Sequence, residues 1–262
     1  MGMDDLHRQV AQVALDAAAE NGFALAGGNA LLAHQLGNRP TYDVDLFTNR
    51  ADGVGAAADG VEAALRAAGF RADRVDKTAG LTGIFGSEMG AGLAEWIVIA
   101  ADGRQMTLQM AHFDRGREPV VMEIGPVLDL EDVLGGKTNA LASRLEPRDY
   151  VDTAAALERY RPAQLIGFGK RIDPGLRDQD YVDAGRRLDE LSDRRFTAFG
   201  LRFRDIARVR ERFATWPRTA AEAARQQAGE RQYGIAGQQG QAERSIEADG
   251  EPNLGSEPNI GS

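Results

Sequence analysis

A mixed α/β (α+β) fold is what the 262-residue sequence predicts: a sheet-bearing N-terminal part, 1–125, followed by a helical part, 126–225. Three observations carry that expectation. A strand signal, Phe23–Ala26, runs into Gly27-Gly28 and then into a helical pattern. Thr41-Tyr-Asp-Val-Asp-Leu-Phe47 alternates polar and apolar residues with the period of a half-buried strand. Beyond about residue 129 the patterns are almost all helical.

In chain order, the first helix is expected over Asp4–Glu20. Leu6, Val10, Val13 and Ala17 recur there at helical spacing, and Asp4 or Asp5 can cap it. Asn21-Gly22 ends it. The helix after Gly27-Gly28 runs to about Leu36, Gly37-Asn38-Arg39-Pro40 turns the chain, and Val61–Gly69 is a helix with a glycine stop. From about Phe70 to Ile124 the pattern is sheet. Glu95–Ala101 and Gln105–Phe113 flank Asp102-Gly103, a hairpin signal because that pair tolerates positive φ. Arg115-Gly116 turns into Val120–Ile124. Helices follow over Asp129–Arg144, Pro147–Tyr160, Pro162–Lys170, Asp178–Leu191 and Phe196–Trp216. Residues 226–262, which close on Glu251-Pro-Asn-Leu-Gly-Ser and Glu257-Pro-Asn-Ile-Gly-Ser, hold too few apolar residues to offset ordering entropy; they are expected to form a disordered tail.

Composition narrows the function. No run of eighteen apolar residues exists, so a membrane span is not expected. The absence of cysteine excludes disulfides, thiolate nucleophiles and Cys-based zinc sites, and fits the cytoplasm. The acidic start, Met-Gly-Met-Asp-Asp, carries no export pattern. A net charge of −9 argues against a general nucleic-acid coat. Charge is uneven, however: Arg159–Arg218 holds fifteen Lys/Arg against nine Asp/Glu. Arg194, Arg195, Arg202, Arg204 and Arg208 in that segment are candidate contacts to an RNA backbone, or an exposed helix face paired with neighbouring acids.

The candidate chemistry begins at Asp43 and Asp45. On a strand their carboxylates project to one side while Val44 and Leu46 pack on the other. Side-by-side like charges are unfavourable unless a cation sits between them, and Mg²⁺ (or Mn²⁺) is held by one or two carboxylates plus substrate phosphates. Gly27-Gly28, at a helix start, can let the backbone approach a phosphate. The bland alternatives are a solvent-facing Asp-x-Asp and a tight turn; a phosphate cradle followed by a metal-binding strand favours nucleotidyl transfer. In the helical part, Lys137, Leu141 and Arg144 share one face, and Asp149 and Asp152 lie one turn apart after Arg148. A lysine there can supply charge to a triphosphate and a carboxylate can orient it, or the group is a surface ion-pair network.

These stretches resemble the AbiEii/AbiGii-type nucleotidyltransferases of bacterial abortive-infection and toxin–antitoxin systems. The resemblance rests on Ala26-Gly-Gly-Asn-Ala-Leu31, Arg39-Pro-Thr-Tyr-Asp-Val-Asp-Leu-Phe47, Lys137 to Arg144 and Arg148-Asp-Tyr-Val-Asp152, and covers about residues 20–200. It implies a polymerase-β-like sheet domain with a helical C-terminal region, NTP as substrate, a tRNA 3′ end as a candidate acceptor, and a cognate antitoxin protein. It also implies roles: Gly27, Gly28 and Asn29 on the triphosphate, Asp43 and Asp45 on the metal, Lys137 on phosphate, and Asp149 or Asp152 orienting the lysine or the acceptor. Arg39, Thr41 and Arg148, inside the same motifs, join the nucleotide-binding set. Such folds commonly add a third carboxylate on a neighbouring strand, expected here at or near Ala111. Thr107–Phe113 holds no acid on either face; Asp114 and Glu123 are the substitutes to consider, and His112 is an alternative base. A small-molecule acceptor, as in aminoglycoside nucleotidyltransferases, and a degenerate non-catalytic binder are the rival readings.

Overall fold

The computed structural model describes residues 3–37, 39–75, 92–198 and 200–230. The part of the expected sheet over 76–91 and the expected tail from 231 lie outside the described residues. Helix α1, Asp5–Ala17, starts where Asp4 caps it, accepting a hydrogen bond from the Leu6 N–H at 2.9 Å. It ends earlier than expected: a 3₁₀ turn, Ala19–Asn21, and Gly22 in the left-handed region intervene before the first strand. Strand β1 is Ala24–Leu25, helix α2 is Gly27–Ala33, and strand β2 is Asp43–Thr48. Helix α3, Gly53–Ala67, begins eight residues before its expected start. Gly53, Gly55 and Gly60 mask its helical pattern, yet Val54, Ala57 and Ala58 are buried along one face with Val61 and Leu65.

Strand β3 is Arg71–Arg74, and β4, Leu93–Ile99, and β5, Gln105–His112, form the Asp102-Gly103 hairpin with Gly103 at φ 85°. The stretch expected as one strand over Val120–Ile124 is a tight hairpin instead: β6, Val120–Met122, and β7, Gly125–Val127. Gly125 at φ 117° permits that reversal. The seven strands lie in the order β3-β4-β5-β2-β1-β7-β6. β2 runs parallel to β5 and β1 parallel to β7, and the remaining pairs are antiparallel. On one face Val44, Leu46, Trp96, Leu108 and Met110 are buried under α1 and α3. The other face carries Asp43 and Asp45 towards the helical part.

That part comprises α4 (Leu130–Arg144), α5 (Pro147–Ala156), α6 (Pro162–Ile172), α7 (Asp178–Glu190), α8 (Asp193–Thr197) and α9 (Phe203–Arg212). Tyr150, Phe196, Phe213 and Trp216 build its aromatic core, and the Trp216 indole N–H donates to the Tyr181 carbonyl at 2.9 Å. The helix expected over Phe196–Trp216 is broken in two. Gly200 sits at φ 80°, a conformation that ends a helix, and Arg202 starts the next. A final helix begins at 220 and runs through 230, so residues 226–230, expected in the disordered tail, are helical.

Candidate active site

A cleft of about 940 Å³ opens between the polar face of the sheet and the helices. β2 supplies Asp43 and Asp45, the β1–α2 turn supplies Gly27 and Gly28, and β5 supplies Gln109. Helix α4 contributes Lys137 and Arg144, and Arg148 comes from the first turn of α5. Further out, Arg202, Arg204, Arg208 and Arg212 line the same cleft. The rings of Phe47 and Phe113, 5.4 Å apart, give it an apolar patch.

Strand alternation places Asp43 and Asp45 on one side, and the structure leaves both carboxylates without a hydrogen-bond or ion-pair partner among the described residues. The Asp45 carboxyl is pushed up to about 6, first by burial and then by repulsion from Asp43; Lys137, Arg148 and Arg144 pull the other way. Gly27 adopts φ +61°, and a Cβ there would stand 1.7 Å from Asp45 Oδ2. A Cβ on Gly28 would stand 2.6 Å from the Thr41 methyl. The two glycines therefore let the turn close directly over the carboxylate strand, a tighter constraint than backbone freedom alone. Asn29 and Thr41 are buried behind that turn. Asn29 Nδ2 donates to the Asp43 carbonyl at 2.7 Å, and Thr41 Oγ1 donates to Asn29 Oδ1 at 2.8 Å. They brace β2 and do not line the cleft.

The cations on the opposite wall are held by acids behind them. Asp152, 4% exposed, accepts from Arg39 Nε at 2.6 Å and Nη2 at 2.7 Å, and from Lys137 Nζ at 2.9 Å. Burial would raise its carboxyl; Lys137 and the Arg39 hydrogen bonds outweigh that and hold it below the ordinary carboxylate range. Asp149 accepts from Arg144 Nη2 at 2.7 Å and completes the capping box of α5 with the Glu146 N–H. Arg148 pairs with Glu146 at 2.9 Å. Asp149 and Asp152 thus stand behind the wall, each touching a cation that faces the cleft.

Of the arginines expected to meet RNA, Arg202, Arg204 and Arg208 line the cleft; Arg194 and Arg195, on α8, do not. The substitutes considered for a third acid are elsewhere. Asp114 is largely exposed and 3.6 Å from His112, Glu123 lies exposed in the β6–β7 turn, and none of the three lines the cleft. Tyr42, Gln109 and Arg212 were not in the expected site. Tyr42 lies inside the Arg39–Phe47 motif, so its position was a signal; the other two are brought in by strand register and helix packing.

The sequence matches the AbiEii nucleotidyl transferase toxin family of type IV toxin–antitoxin systems over residues 10–232. The chain belongs to that family. This AbiEii-family protein is a nucleotidyltransferase, and its membership implies an NTP substrate and an antitoxin partner. Solved structures share its fold, among them JHP933 and MenT4. JHP933 from Helicobacter pylori is 14% identical, with a TM-score of 0.53 over 90% of this chain and 100% of that one. MenT4, a nucleotidyltransferase toxin from Mycobacterium tuberculosis H37Rv, is 17% identical, with a TM-score of 0.56 over 84% and 86%. Among curated proteins no sequence match is found. Among the described residues no helix is long and apolar enough to cross a membrane.

Asp45 and Asp152 respond to pH in opposite directions. A raised carboxyl favours the native state below pH 4, and that contribution is lost as pH rises through about 6. Asp45→Asn in metal-free protein is therefore expected to gain about 2–3 kcal/mol at pH 7.5 and almost nothing at pH 4, read by urea unfolding. Asp152 has the opposite sign: its stabilisation is present above pH 4 and lost as pH falls through its depressed value. Asp152→Asn leaves Arg39 and Lys137 buried without their anion, and a loss of about 3–5 kcal/mol at pH 7.5 is expected in the same measurement.

Proposed function

We propose that the protein moves a nucleoside monophosphate from an NTP to an acceptor hydroxyl, with Mg²⁺ (or Mn²⁺) on Asp43 and Asp45, and that the acceptor is a tRNA 3′ end in the cytoplasm. The observation that carries this reading is the cleft in which two unpartnered carboxylates face Lys137, Arg144 and Arg148. The donor chemistry fits a hard divalent cation: both candidates are oxygens, and their mutual repulsion is the cost that a cation removes. No group of three or more metal-ligating side chains occurs among the described residues, so Asp43 and Asp45 would hold the ion together with substrate phosphate and water oxygens.

When bound, the cation neutralises charge on the phosphates as the α-phosphorus is attacked. The protein's own residues do the rest. Gly27 and Gly28 let backbone N–H groups at the start of α2 approach the triphosphate. Lys137 and Arg148 spread the negative charge that develops on the departing pyrophosphate. Asp152 and Asp149 fix Lys137 and Arg144 in place, so no reorganisation is needed at the moment of reaction.

Support for a nucleic-acid acceptor comes from the outer cleft. Arg208 has no ion-pair partner among the described residues, and Arg202 and Arg204 share one acid, Asp205, at 3.0 and 3.8 Å. Residual positive charge at the mouth of an acidic protein is suited to an RNA backbone.

Incubation with each α-³²P-labelled NTP, Mg²⁺ and total bacterial tRNA tests the reading. Label is expected on RNA with the native protein and absent with Asp43→Ala/Asp45→Ala. Label absent from RNA but present on a panel of small amines would reject the RNA acceptor. A separate titration tests the docking face. Arg202→Glu/Arg204→Glu/Arg208→Glu should weaken tRNA binding and reduce its log–log salt slope by about 2, at roughly 0.7 for each phosphate that is no longer neutralised; an unchanged slope would reject that face.

A further inference from the structure

The parallel register of β2 and β5 pairs Asp45 with Gln109 and Asp43 with Thr107. Paired residues project to the same face, and Gln109, like Asp45, lines the cleft. Gln109 therefore occupies the strand position beside the carboxylates from which a third acid would act, two residues before the Ala111 expected from sequence. Its amide has no hydrogen-bond or ion-pair partner among the described residues. Glutamine offers Oε1 as acceptor and Nε2–H as donor, but at neutral pH it neither carries charge nor takes a proton.

The other carboxylates of the cleft are committed. Asp132 accepts from the Gly116 N–H at 3.1 Å and the Arg117 N–H at 2.9 Å. Asp205 pairs with Arg202 at 3.0 Å, and Glu158 with Arg212 at 2.9 Å. Of the carboxylates that line the cleft, only Asp43 and Asp45 are left without a partner among the described residues; Glu95, opposite Gln109 in the β4–β5 register, does not line it, so a second ion would lack a cleft carboxylate on the acceptor side.

We propose that Gln109 is the acceptor-binding residue of this site and that the protein works with one divalent ion per bound NTP. The inference rests on the nucleotidyl-transfer reading above. The Gln109 Oε1 accepts the hydrogen bond of the attacking hydroxyl and aims its oxygen at the α-phosphorus. The new bond is acceptor O–Pα; the bond that breaks joins Pα to the bridging oxygen, which leaves with its electron pair as pyrophosphate. The hydroxyl proton passes to water in the open cleft, because an amide oxygen orients it without removing it.

Manganese counting by electron paramagnetic resonance, with a non-hydrolysable α,β-methylene NTP, reads the ion number without turnover. One Mn²⁺ per chain is expected for the native protein and two for Gln109→Glu, a near-isosteric change that supplies the missing carboxylate. In kinetics, Gln109→Ala should raise KM for the RNA acceptor about 3–10-fold, the loss of one hydrogen bond, and leave KM for NTP within twofold. Two ions in the native protein, or an acceptor KM untouched by Gln109→Ala, with transfer intact, overturns the role of Gln109 alone. A native protein that binds NTP and one ion yet transfers to no acceptor overturns the transfer reading and the acceptor role together.

Discussion

The buried carboxylate of Asp152 is the constraint on which the rest of the site depends. It takes both arms of the Arg39 fork and the Lys137 ammonium. Arg39 belongs to the segment that leads into the carboxylate strand, Lys137 to α4 and Asp152 to α5. One anion therefore sets where the sheet part meets two helices. A carboxylate this deep is tolerated only because two cations and three short contacts offset its desolvation. The same contacts fix Lys137 in place at the cleft wall. Asp149 does a similar service for Arg144 one turn away.

Asp43 and Asp45 are the counterpart. Neither forms an ion pair among the described residues, and burial together with repulsion from Asp43 pushes the Asp45 carboxyl up. The turn at Gly27 presses so close to Asp45 that no side chain fits between them. An unpaired acid pair is expensive in stability, and such costs gather where a protein binds something. The compensation is spread elsewhere, in the apolar sheet face under α1 and α3 and in the aromatic core around Tyr150 and Trp216.

Much of the fold was legible because it follows local rules. Strand alternation at Asp43–Thr48, the Asp102-Gly103 hairpin and the Asp4 cap were each set by neighbours a few residues away. Elements failed where small residues hid the signal. Glycines concealed the first half of α3, and Gly200 split a helix whose arginine-rich pattern ran on without a break. Gly125 likewise turned one expected strand into a hairpin. Asn29 and Thr41 were legible as members of motifs, but the structure makes them braces of β2 that do not reach the cleft.

By itself the sequence determined the chemical inventory: two carboxylates on one strand face, glycines before a helix, a lysine and arginines on later helices, and the family these belong to. Those are matters of residue type and short spacing, and one strand or one helix turn is enough to express them. Tertiary structure alone decided which acid meets which cation, because Arg39 and Asp152 are 113 residues apart. It also decided that Gln109, and not Asp114, Glu123 or His112, stands beside Asp45, since that follows from the register between β2 and β5. Register depends on how two distant strands bury their apolar faces together, and no local pattern in either strand specifies it.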